Sequence, residues 1–125
     1  MASCLNAVEL VDAGKISLKK DEHARILVRY DDKEKFFKFR WTLYKNGGLI
    51  IHRSYDREVS QNVLYLRNKN QSFRVELKPR GADFYNVPYL LVKFKKFDYE
   101  KREAIFEIYI SDAKSQIILK YLKNS

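Results

Sequence analysis

The chain is poor in the residues that punctuate or staple small proteins, with one cysteine, two prolines and four glycines in 125 residues. A single cysteine excludes an internal disulfide framework. So little Pro and Gly, set against 46% apolar and 14% aromatic residues, excludes a low-complexity or disordered chain. No run of 18 apolar residues occurs, so no segment of this sequence reads as a membrane-spanning helix. The usual signatures of catalysis are missing as well: there is no glycine-rich phosphate loop, no GxSxG elbow and no CxxC pair. The two histidines, His23 and His52, stand far apart, and the positions two residues either side of His52 are Ile50 and Ser54, neither of which shares a metal ion well. Asp31-Asp32 and Asp98 with Glu100 fall in turn-like segments, where carboxylates ordinarily accept from backbone amides. A non-enzymatic chain with no cofactor is the expectation.

Acidic residues are also in deficit. Twenty-five Lys and Arg against 16 Asp and Glu leave a formal charge of +9, which favours anionic partners such as phospholipid, lipopolysaccharide, acidic glycan or nucleic acid. Many of these cations alternate with apolar residues, so a plain solvated face accounts for them equally well.

What the chain does contain is alternation. In Lys35–Arg53 the apolar Phe37, Phe39, Trp41 and Leu43 interleave with Lys38, Arg40, Thr42 and Tyr44, the period of a strand with one dry and one wet face. Lys45-Asn46-Gly47-Gly48 then turns the chain into Leu49-Ile50-Ile51, and this long aromatic hairpin is the expected centre of the core. Upstream, Leu5–Val11 fits either a first strand or a helical turn. Asp12–Lys15 reads as a turn, and Ala24–Tyr30 as a strand that leads through Asp31–Glu34 into the central hairpin.

Downstream, Ser54–Glu58 interrupts the pattern. A second hairpin is expected between Val63–Arg67 and Phe73–Leu77, a third between Tyr89–Phe97 and Ala104–Ile110, and a last strand over Gln116–Leu122. About eight or nine short strands without a helical stripe point to an all-β protein. The best fit is an immunoglobulin-like two-sheet antiparallel β-sandwich around the Trp41 strand, with a small closed barrel as the competing architecture. There are no repeats to divide, so residues 4–125 read as one domain.

Lys38 and Arg40, with Lys93, Lys95 and Lys96, are the candidate anionic-ligand face. Nucleic acid is the less favoured ligand, because Phe37, Phe39, Trp41 and Phe94, which would stack on bases, alternate away from these charges. Tyr44, Tyr99 and Tyr109 are the remaining exposed-aromatic candidates. An open sheet edge offers a route to a protein partner or to homodimerisation. The Leu49–Arg53 and Gln116–Leu122 strands are the candidates, the latter presenting Ile118 and Leu122 on its wet face.

The chain opens Met1-Ala2-Ser3-Cys4. Residues 1–3 resemble a cloning-site remnant, which makes Cys4 the expected lipid-bearing first residue of a mature bacterial lipoprotein. A cytosolic protein with an incidental thiol is the other reading. With Cys4, the sandwich pattern from Ala24 to Leu122 and the Lys/Asn/Phe/Ile/Tyr-rich composition, the chain resembles the small envelope lipoproteins of the Campylobacter and Helicobacter type. That resemblance implies an immunoglobulin-like domain in the cell envelope, at the outer membrane, anchored through lipid on Cys4. It also implies an adhesion or protein-interaction role, with no catalytic residues. No Ser/Gly-rich tether follows Cys4, so a membrane-proximal position is expected. A basic nucleic-acid-binding β-domain in the cytosol is the alternative.

Overall fold

A computed structural model describes residues 10–66, 70–77, 88–111 and 117–124. Nine strands occupy them: β1 (Val11–Lys19), β2 (Ala24–Tyr30), β3 (Lys33–Lys45), β4 (Gly48–Tyr55), β5 (Glu58–Tyr65), β6 (Ser72–Glu76), β7 (Tyr89–Asp98), β8 (Glu103–Ile110) and β9 (Ile118–Leu122). They form two antiparallel sheets, one of four strands in the order β1-β8-β7-β6 and one of five in the order β5-β4-β3-β2-β9. The protein is therefore all-β, a two-sheet sandwich rather than one closed barrel. Immunoglobulin domains divide their strands as ABED and CFG. Here β2 to β5 run as a meander within one sheet, so the likeness holds at the level of two packed sheets.

Alternation decides which residues meet in the middle. Phe37, Phe39 and Trp41 of β3 point inward with Ile26 and Val28 of β2 and Ile51 of β4, against Phe73, Val92, Phe94 and Phe106 of the other sheet. Phe39 is the hub, its ring 5.1 Å from Phe106 and 6.0 Å from Phe73, both edge-on, the geometry that aromatic quadrupoles prefer. Trp41 adds a directional link: its Nε1 donates to Leu18 O at 2.8 Å, satisfying the one polar atom of a buried indole and tying β3 to the facing sheet.

The turns are tight because residues that tolerate a left-handed backbone stand where they are required. Asn46 (φ 54°) and Gly47 (φ 79°) close β3 onto β4 as a two-residue turn within the expected Lys45–Gly48 segment, whose outer residues pair with each other. Asp31 and Asp32 (φ 57° and 58°) do the same for β2 and β3, so Lys33 and Glu34 belong to the strand rather than the connection. Asp56 and Arg57 (φ 50° and 71°) close β4 onto β5. The apparent interruption at Ser54–Glu58 is thus a tight turn, and β5 begins at Glu58, well before the expected Val63.

Three expectations are corrected. Asp12–Lys15 is not a turn but lies within β1, which carries a bulge between Asp12 and Gly14. Gly14 holds φ 145°, and Asp12 Oδ1 accepts from its N–H at 3.1 Å, so the Asp/Gly signal marks a bulge. The hairpin expected between Val63–Arg67 and Phe73–Leu77 does not form either: β5 and β6 lie in different sheets, and β6 pairs with β7. Both segments alternate cleanly, but alternation specifies which face is buried and not which strand lies alongside. Finally, the Leu49–Arg53 strand is internal, because β5 covers it. The expected first strand over Leu5–Val11 lies mostly outside the described residues, and only Val11 is seen in β1.

Side chains close the two seams between the sheets. At one, Arg53 donates to Asn62 Oδ1 and to Arg74 O, both at 2.7 Å, with its guanidinium over the Phe73 ring. Nearby, the Tyr55 hydroxyl makes a long 3.4 Å bond to Leu77 O. At the other, the Tyr121 hydroxyl donates to Ala13 O at 2.6 Å. Burial first, and a nearby carboxylate second (Asp56 and Asp12 respectively), push the Tyr55 and Tyr121 phenols up to about 12 from 10.0. A folded pKa above the unfolded one means the native state holds its proton longer, so stability is intact below pH 10 and falls as pH rises from about 10 to 12. Urea midpoints across that interval are expected to fall more gently for Tyr121→Phe than for the parent; equal slopes would remove Tyr121 from the account.

Candidate functional site

The sequence-predicted cations do not share a face. Lys38 and Arg40 lie on β3, on the outer side of the five-stranded sheet, whereas Lys93, Lys95 and Lys96 lie on β7 of the other sheet, with the core between them. Their electrostatic surroundings differ too. Lys95, set at a bulge between Phe94 and Lys96, is 3.7 Å from Glu107, the residue that β8 sets directly opposite Lys93. Arg40 is 3.6 Å from Asp21. Lys38 has no ion pair among the described residues.

The cross-strand register builds the outer face of the five-stranded sheet residue by residue. On β2, Arg25, Leu27 and Arg29 alternate outward against the inward Ala24, Ile26 and Val28. On β3 they meet Lys38, Phe36 and Glu34 respectively. On β9 the same residues meet Leu122, Lys120 and Ile118. Arg25 therefore stands directly opposite Lys38, a like-charge pair that costs stability unless an anion relieves it, and neither has a carboxylate partner among the described residues. Between the charges lies apolar surface: Phe36 is 38% exposed and Ile118 58% exposed. The Arg25 guanidinium sits 5.7 Å from the Phe36 ring centroid, a distance at which cation and ring attract.

No protein-family model, curated protein or solved structure matches this chain. The site is therefore read from its own geometry.

Ile118 and Leu122 are where the sequence expectation placed them, on the wet face of an edge strand, since β9 borders the five-stranded sheet. Phe37, Phe39, Trp41 and Phe94 are buried, as alternation predicts. Phe36 is the residue the sequence reading passed over. Its signal was present: in the Phe36-Phe37 doublet on a strand, one ring must face outward. Of the other aromatic candidates, Tyr99 is exposed and Tyr44 and Tyr109 are half-buried. Tyr44 stacks on Phe97 at 4.4 Å and shares a 3.2 Å hydroxyl contact with Tyr99, and Tyr109 donates to Glu107 Oε1.

His52 is a half-buried strand residue whose Nε2 lies 3.2 Å from Thr42 Oγ1. Asp98 Oδ1 accepts from the N–H groups of Glu100 and Lys101, the turn role expected of it. Among the described residues no three His, Cys, Asp or Glu side chains converge as metal ligands, and no helix is long and apolar enough to cross a membrane. Cys4 lies outside the described residues. What the arrangement offers is a small all-β domain with a mixed cationic and apolar outer face on its five-stranded sheet.

Proposed function

We propose that this chain is a non-enzymatic interaction module of the bacterial envelope, held near the membrane by lipid on Cys4. Its outer five-stranded face lies against an anionic headgroup surface. The observation that carries this reading is the unpaired Arg25–Lys38 couple beside Phe36, continued along the same face by Leu27, Lys120, Leu122, Arg29 and Ile118. Exposed apolar side chains flanked by Lys and Arg suit a membrane interface, where each cation contributes about 1 kcal/mol near an anionic surface. Leu10 lies six positions after Cys4, a span of at most about 20 Å when extended, so an anchor there would keep the domain at the bilayer. The anchor rests on Met1-Ala2-Ser3-Cys4 alone.

The test has two arms. The purified, unlipidated protein should float with vesicles containing phosphatidylglycerol but not with phosphatidylcholine vesicles. Arg25→Glu with Lys38→Glu should weaken that binding by about a hundredfold, while Lys93→Glu with Lys96→Glu on the opposite sheet should change it far less. Equal loss in both pairs would overturn the assignment of the face. For the anchor, the whole gene expressed in a bacterial host should yield protein that enters the detergent phase on cloud-point extraction, and Cys4→Ala should leave it in the aqueous phase.

The Phe36 ring under the Arg25 guanidinium also favours a second reading, a platform for single-stranded nucleic acid. It would be recognised by oligonucleotide binding that falls steeply with salt and is lost in Phe36→Ala, without vesicle binding.

A further inference from the structure

A sheet edge left open is a template for another strand, and soluble proteins blunt such edges with charge, brevity, bulges or a covering group. Three of the four edges here are blunted. β1 is bulged at Asp12–Gly14 and bonded by the Tyr121 hydroxyl. β6 and β9 are five residues each, the first carrying Arg74 and Glu76 and the second Lys120. β5 is different. It is eight residues long, and from Val59 to Tyr65 it has no charged residue, in a chain that is 33% charged.

The free backbone groups of β5 can be identified. The two-residue turn at Asp56–Arg57 closes on the pair Tyr55–Glu58, so Glu58 and every second residue after it turn their N–H and C=O toward β4. Val59, Gln61, Val63 and Tyr65 turn theirs away. An independent contact agrees: Tyr65 N–H donates not to β4 but to Asn70 O, at 3.0 Å. With Tyr65 so engaged, the outward groups of Val59, Gln61 and Val63 remain, without partners among the described residues. The exposure of the strand is that of an open edge, with Val59 78% and Val63 39% exposed.

We infer that β5 pairs antiparallel with β5 of a second copy of this chain, about a two-fold axis through Gln61. These three free positions are centred on Gln61, and in this register each one finds its complement. Gln61 faces the partner's Gln61, and Val59 faces the partner's Val63, with roughly six backbone hydrogen bonds in all. The valines lie on the outer face, where they form two cross-strand apolar pairs flanking an amide pair, and no like charges oppose. The sequence VSQNV is self-complementary in this sense, which is what an isologous interface requires. A single pair of edge strands buries less than a standard interface, so the dimer forms at high micromolar concentration. The inference is independent of the membrane reading.

Sedimentation equilibrium on the whole chain, with Cys4→Ala to exclude thiol chemistry, is expected to show twice the monomer mass of 15.0 kDa as concentration rises. Gln61→Pro removes one outward N–H and spares the β4 ladder, and should weaken association about tenfold or more. Val59→Lys, at a position exposed enough to leave folding intact, should do the same and covers the case in which the proline variant fails to fold. Gln61→Cys in the Cys4→Ala background should oxidise readily to a covalent dimer, because facing residues of a hydrogen-bonded pair stand about 5.5 Å apart at Cα. A monomer at every concentration would overturn the inference. So would a dimer indifferent to Val59→Lys and to cysteine at position 61, which would move the contact to another edge.

Discussion

Phe39→Ala is expected to remove most of the stability of the folded domain, about 3–5 kcal/mol out of a total that for a domain of this size is about 5–15 kcal/mol. The ring is 1% exposed and touches Phe37, Phe73 and Phe106, so its loss opens a void between both sheets at once. Urea unfolding followed through Trp41 fluorescence measures the effect. The control is Phe36→Ala, three positions away on the same strand and on its outer face, expected to cost about 1 kcal/mol or less because half-solvated surface loses little on truncation. Comparable losses in the two variants would mean that β3 does not present its faces as described.

Gly14→Ala is the second large effect, and it acts through backbone and packing together. Gly14 holds φ 145°, where a side chain is strained by about 1–3 kcal/mol. A Cβ there would stand 2.5 Å from the Tyr121 hydroxyl oxygen and 2.8 Å from the ring carbon that bears it, so the ring must move and its bond to Ala13 O must break. Overpacking of that kind costs about 1–3 kcal/mol more. The two contributions separate in a double-mutant cycle. Tyr121→Ala should be costly in the parent and much less so in Gly14→Ala, because the clash and the lost bond share one ring. Strict additivity would show that the bulge and β9 are not coupled.

This coupling bears on function, since Tyr121 also sits in β9, the strand that carries Ile118, Lys120 and Leu122 on the outer face. The bulge that tilts β1 gives that hydroxyl a carbonyl to bond, and this helps to hold β9 against the sandwich at the end of the chain. A variant that frees Tyr121 should therefore loosen the β9 side of the cationic face before it disturbs β3.

The sequence by itself determined what depends on period 2 and on local turn chemistry. The interleaving over Lys35–Trp41 made a strand with Phe37, Phe39 and Trp41 inward, and Asn46-Gly47 made the turn, because pleat and left-handed tolerance are properties of a few neighbouring residues. Past Trp41 a bulge reverses the pattern, leaving Leu43, expected on the dry face, exposed and Tyr44 against the core. All-β character and two buried faces were legible on the same grounds. The tertiary structure decided adjacency. Val63–Tyr65 and Phe73–Leu77 alternate as well as any hairpin, yet their strands belong to different sheets. Lys38 and Lys93 each lie on the wet side of a strand, yet on opposite sides of the molecule. Alternation is a one-strand property, whereas partner and sheet are chosen by how the whole set of apolar faces closes over one core. That choice set Arg25 against Lys38 and left β5, rather than β4, as the open edge.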